Sequence, residues 1–449
     1  MSFVFLALWM TGILISGCTP PSYSGDDLKR AVIEITRKEY GIENCDVKVV
    51  GTTFGVFLPL SQLFSMDFKE AILSGQVTDM EQLFQPTEEA IDKIEDVLFS
   101  MSRVILSTDR KIDFYFLQAT DIEKTGMEIN FIGHSDDIKR VRFWDIPRSE
   151  YRKRIIHEMQ LNRPVLWHRP VKQFFNDLNE KTRSELKLLY FKNLDDAKWE
   201  EEFFLTSKMG ASDEKGARIW EVIDVRSLPV EDREVVVYAK VNARPRDGQG
   251  APQVLDYLFQ ISARGGEEKI DRITPMSVLD QTSADLDAPM TRDMIYSSLE
   301  RWDEEFSVPD MTLGEFLAMQ LSRRMQMAFS QDERVYNTFS EIKAVFQHVE
   351  GDPGHFIFHM TAPLKDIRQK AYTLDQGVNE DVIYAWNLAT REFVNVLRGY
   401  SFKDWEFLSF SLTQAPSYTW TANQQDLELY RRMKKPLQDI LTLTPQVAS

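Results

Sequence analysis

The chain has 449 residues, 43% of them apolar and 27% charged, with a net charge of −17. That length and apolar content supply material for several hydrophobic cores and exclude a disordered chain. The acidic balance excludes nucleic acid as a main partner, because a phosphate backbone repels it, and two cysteines exclude a disulfide framework.

Residues 3–15 form an uncharged run broken only by Thr11 and Gly12. A spanning helix needs ~20 apolar residues, so the run suits an export signal better. It ends in Leu14-Ile15-Ser16-Gly17-Cys18, which resembles the lipobox of bacterial lipoprotein precursors. The resemblance covers five residues. It implies cleavage between Gly17 and Cys18, lipidation of Cys18, and a place in the bacterial cell envelope. Thr19 after the cysteine implies the periplasmic face of the outer membrane. Residues 1–17 are then a signal peptide. Residues 18–25, with Pro20, Pro21, Ser22, Ser24 and Gly25, are a tether holding the body off the membrane. Cys45 would have no partner and reads as a small hydrophobe beside a strand.

From residue 26 the spacing of Leu28, Ala31, Val32 and Ile35 predicts a helix to Tyr40, closed by Gly41. Strands at 47–50 and 54–60 follow, bent at Gly51. Thr87 with Glu88-Glu89 opens a long helix, and strands are predicted at 112–119, 127–133 and 141–146. Pro147 starts a helix to Met159. The C-terminal part repeats this order, with a helix over 313–329, strands at 341–349 and 355–361, a helix over 379–397, and strands at 405–413 and 418–421. Asp137-Ile-Lys-Arg-Val-Arg is similar to Asp426-Leu-Glu-Leu-Tyr-Arg. Two copies of one helix–strand–strand–helix–strand–strand unit would explain the pattern; the alternative is coincidence of a common order.

The middle reads differently. Helices over 171–190 and 197–208 precede strands at 217–225, 234–243, 254–263 and 269–274, the last two a hairpin at Gly265-Gly266. Tyr257–Thr274, with its alternating strand, polar turn and shorter closing strand, resembles the NTF2-like fold. That resemblance implies a cone-shaped domain with a pocket between sheet and helices. The expected fold class is therefore α+β and multi-domain: two similar two-layer helix/sheet domains, 26–160 and 313–449, flank an NTF2-like domain at 161–280. Residues 281–312 form a linker carrying a short helix.

No phosphate loop, nucleophile elbow, zinc-protease helix or paired CxxC is present. His355 and His359 share a strand face, and His348 on the preceding strand makes them a candidate metal triad. Ordinary histidines on a half-exposed face are the simpler reading, so no metal and no cofactor is expected. His157, Trp167 and His168, at a junction rich in Arg and Pro, are candidates for lining a ligand pocket, with hinge packing as the alternative. Glu200-Glu201-Glu202 offers a carboxylate but suits a solvated helix face. Arg140, Arg142, Arg148, Arg152, Lys153 and Arg154 form a basic cluster in an acidic chain, read as a salt-bridged surface or a contact for an acidic partner or lipid head groups. No residue is singled out as catalytic. The leading expectation is a lipid-anchored, non-catalytic scaffold that binds the membrane through Cys18 and another envelope protein. A carrier for an apolar ligand in the middle domain comes second, and a hydrolase using that pocket third.

Overall fold

A computed structural model describes residues 23–65, 84–191, 218–231, 233–248, 250–264, 267–279, 291–349, 354–361, 363–366, 368–373 and 375–445. Cys18, Glu200–Glu202 and the helix predicted over 197–208 lie outside the described residues. The fold is mixed α+β with several sheets. Its contacts divide the chain into two compact units. The first holds the chain up to Val50, Phe54–Phe131 and His157–Val308; the second holds Gly51–Thr53, Ile132–Ile156 and the chain from Pro309.

In the first unit, helix α1 (Leu28–Tyr40) buries Leu28, Ala31, Val32 and Ile35, and ends at Gly41 in the left-handed conformation (φ 70°). Helix α2 (Glu88–Ile105) starts at Thr87, whose hydroxyl accepts from the Ala90 amide at 3.1 Å. The two helices pack on each other, α1 against β1 and α2 against β3. The sheet runs in chain order: β1 (Asp46–Val50), β2 (Thr53–Leu60), β3 (Phe114–Asp121), β4 (Met127–His134) and β5 (Ile156–Leu161). β3 is buried along its whole length. Alternation places Phe116, Gln118 and Thr120 on one face together.

Two sequence expectations are corrected here. Residues 135–142 form helix α3, where a strand was expected from 141. The helix predicted from Pro147 to Met159 ends early: α4 covers Arg148–Arg154, and β5 follows. Ile155, Ile156 and Met159 have helical spacing, but at the sheet edge pairing to β4 overrides it.

Helix α5 (Arg163–Leu178) is capped by Asn162, whose side-chain oxygen accepts from the Val165 amide at 3.1 Å. Helix α6 (Arg183–Tyr190) opens with a reciprocal Thr182–Glu185 capping box. Strands β6 (Arg218–Glu231), β7 (Glu234–Pro245), β8 (Gln253–Arg264) and β9 (Glu267–Pro275) then make an antiparallel meander. α5 lies across it, and Phe174, Phe175, Trp220, Tyr257 and Phe259 fill the space between. Helix α7 (Arg292–Ser298) and Trp302 cover Tyr238 and Leu258 in a smaller core.

In the second unit, helix α8 (Leu313–Gln331) also starts with a capping box, Thr312–Glu315. A short α9 (Glu333–Thr338) precedes β10 (Lys343–His348) and β11 (His355–Thr361). A two-stranded ribbon, β12 (Tyr372–Thr373) and β13 (Gly377–Val378), leads to helix α10 (Glu380–Gly399). β14 (Phe407–Leu412), β15 (Tyr418–Asn423), α11 (Gln424–Arg431) and β16 (Thr442–Pro445) complete it. The sheet again runs in chain order, β10-β11-β14-β15-β16, with β11 and β14 parallel. Phe346, Phe356, Phe358, Trp386, Phe393 and Phe410 form its aromatic core.

Candidate functional site

The site lies in the first unit, where residues 303–308 cross the open face of the first sheet as a strap. Asp303 exchanges two backbone hydrogen bonds with Ser227 of β6, at 2.8 and 3.0 Å. Glu304 pairs with Arg226 at 2.9 Å and with Lys48, and Lys48 also donates to the Phe306 carbonyl at 2.8 Å. The Phe306 ring stacks on Phe57 and Phe116, with centroids 5.6 and 6.5 Å away. Val308 lies directly over Gly55, where a Cβ would collide with it.

Two carboxylates meet here, Glu128 from the sheet and Glu305 from the strap itself. Glu128, buried on β4, accepts from five neutral donors: Gln118 Nε2 (2.8 Å), Asn162 Nδ2 (2.7 Å), Gln160 Nε2 (2.7 Å), Asn130 Nδ2 (2.9 Å) and Thr120 Oγ1 (3.3 Å). Gln118 and Asn162 also donate to the Glu305 carbonyl, at 2.6 and 2.8 Å. The Glu305 carboxylate receives His168 Nδ1 at 3.0 Å and Lys172 Nζ at 2.6 Å. Burial works against its ionised form, but the His168 hydrogen bond and the Lys172 charge outweigh it and hold the carboxyl at about 2. His168 is 0% exposed, and its Nε2 has no partner among the described residues.

Two clefts flank the strap. One of about 920 Å³ is lined by Lys48, Phe57, Lys172, Arg226, Glu304 and Phe306. The other, of about 700 Å³, is lined by Gln118, Glu128, Gln160, Leu161, Asn162 and Trp302. The ionisable groups between them are already engaged. Glu305 is too acidic to exchange a proton near neutrality, and His168 has no exposed surface to offer a substrate.

Of the candidate pocket residues, His168 alone joins this network. Trp167 is its helical neighbour, points elsewhere and packs against the middle core, and His157 is exposed on β5. The candidate metal triad is overturned. The register pairs His348 with Phe356, so His348 shares that face, while His355 and His359 occupy the opposite one. His348 lies against the Phe356 ring, centroids 5.0 Å apart; His355 meets Ser409 at 2.8 Å and His359 meets Gln347 at 3.2 Å. Among the described residues no cluster of His, Cys, Asp or Glu is set to hold a metal.

The basic cluster divides within the second unit. Arg154 is buried and pairs with Asp137 at 2.8 Å and Glu150 at 3.0 Å, and the Tyr400 hydroxyl donates to Asp137 at 2.8 Å. Arg140 donates to the Gly399 carbonyl. Arg142, Arg148, Arg152 and Lys153 are exposed. Sequence reasoning missed Gln118, Glu128, Asn162, Lys172 and Glu305. Their one local signal is polar residues, Gln118, Glu128 and Asn130, at positions inside apolar strands.

Compared with protein-family models, curated proteins and solved structures, the chain matches none. No helix among the described residues is long and apolar enough to cross a membrane.

Proposed function

We propose that this chain is a lipid-anchored protein of the bacterial cell envelope, held through Cys18 on the periplasmic face of the outer membrane, with a non-catalytic role in binding a partner protein. We also read its two five-stranded sheets as copies of one unit flanking an NTF2-like domain. Both sheets follow chain order, and the similar stretches at Asp137 and Asp426 both lie on the helix after the fourth strand.

The observation that carries the partner-binding reading is β5. It is the last strand of its sheet, and five of its six residues are exposed, including Met159 and Leu161. The exposed apolar side chains Met159 and Leu161 on this terminal strand offer surface that a partner protein could cover. The non-catalytic reading is supported by the engaged state of Glu128, His168 and Glu305. A carrier would use the space between α5 and the meander, which is filled by the described aromatic side chains.

Cross-linking of the full chain in native membranes, followed by mass spectrometry, tests this. A stoichiometric protein cross-linked at 157–161, and lost in Leu161→Glu, is the expected result. A bound lipid or small molecule with no protein partner would overturn it in favour of the carrier.

A further inference from the structure

Helices α3 and α11 end alike. After α3 the amide of Phe143 donates to the Lys139 carbonyl (2.9 Å), Trp144 to Val141 (3.3 Å) and Asp145 to Arg140 (2.8 Å). After α11 the amide of Arg432 donates to Glu428 (3.1 Å), Met433 to Tyr430 (2.8 Å) and Lys434 to Leu429 (2.9 Å). In each turn one residue takes the left-handed conformation: Trp144 at φ 65° and Met433 at φ 55°. This position favours Gly or Asn and penalises bulky side chains. Neither side chain recovers the cost by packing, since Trp144 is 84% exposed and Met433 95% exposed. Phe143, beside Trp144, is 71% exposed.

Side-chain type separates the two turns: adjacent aromatics, Phe143 and Trp144, in one and Met433 in the other. The stretch 139–153 carries six basic and two acidic side chains in a chain of net charge −17. Arg142, Arg148, Arg152 and Lys153 are exposed and make no ion pair among the described residues. After α11, Arg431 and Arg432 are both tied to Glu428 and Lys434 and Lys435 are exposed, so this turn is basic too but presents Met433 in place of aromatic rings.

We infer that the Phe143-Trp144 turn is an interfacial wedge that docks on an anionic bilayer surface. Phe and Trp suit the boundary between head groups and acyl chains, and four free cations beside them match lipid phosphates. The strongly acidic remainder of the chain would be repelled by that surface, so the patch would also orient the body. The inference does not depend on a lipid at Cys18. With that anchor in place, docking becomes an intramolecular event at raised effective concentration.

The test places the full chain in vesicles of brominated phosphatidylcholine, with or without phosphatidylglycerol. The fluorescence of Trp144 is read as the difference between the wild type and Trp144→Phe. Quenching that requires phosphatidylglycerol, is reversed by salt, and weakens roughly fivefold for each of Arg148→Gln and Arg152→Gln is expected. Trp144→Asn should raise thermal stability by relieving the left-handed strain, while 141–153 loses its lipid-dependent protection from hydrogen exchange. Equal access of Trp144 to aqueous iodide in both vesicle types would overturn the inference. Protection that appears only with another envelope protein would also overturn it, and would assign the turn to a protein contact.

Discussion

Glu128 beneath the strap and Glu305 within it are satisfied by different means. Glu128 is surrounded by amide and hydroxyl donors, whereas Glu305 meets an imidazole and an ammonium. A carboxyl held at about 2 when folded, against ~4.3 when unfolded, contributes stability that is fully present above the unfolded value. That contribution is lost as pH falls through the folded value, and amounts to about 3 kcal/mol. Glu305→Gln should therefore lower stability at neutral pH by about 2–3 kcal/mol and flatten its pH dependence between about 4 and 2. Urea unfolding over a pH series measures both, and an unchanged acid limb would mean that the ionised carboxylate does not hold the strap. Cys45 agrees with its reading as a small hydrophobe, because burial pushes its thiol up to about 11 and leaves little thiolate to react.

At the level of elements, local chemistry and tertiary pairing each decide part of the outcome. The capping boxes at Thr182–Glu185 and Thr312–Glu315, and the Gly41 stop, satisfy helix ends within a few residues, which is why a sequence displays them. β5 has no such signal, since its partner is β4 and its residues carry helical spacing. The strap has none either: its anchors Gln118, Asn162, His168 and Ser227 are spread along the chain. Gly55 leaves room for Val308. Gly55→Ala should lift the strap, so that hydrogen exchange at 303–308 speeds up by about tenfold or more while α1 and α2 keep their protection. Equal exchange in both proteins would show that the strap can shift without loosening.

At the scale of the whole molecule, the proposed anchor at Cys18 and the proposed wedge at Phe143-Trp144 would both place an acidic chain at a membrane. Cys18→Ala should move the protein from the membrane to the soluble fraction and leave residues 1–17 uncleaved or cleaved at a different bond. Membrane fractionation with mass spectrometry of the N-terminus reads both, and a variant still on the membrane with residues 1–17 removed would sink the lipobox reading. The acidic charge is spread along the chain, which favours solubility over any one site. Arg142, Arg148, Arg152 and Lys153, exposed and without an ion pair among the described residues, are a local departure from that balance.

By itself the sequence determined the mixed α+β class, most helices and strands and the meander, because periodicity and caps act over a few residues. Tertiary structure alone decided the register that parts His348 from His355 and His359, the strand at 156–161, the joining of Glu128, His168 and Glu305, and the exposure of Trp144. Each of these depends on which segments meet across long stretches of chain, and one residue of register turns a side chain to the other face of a sheet.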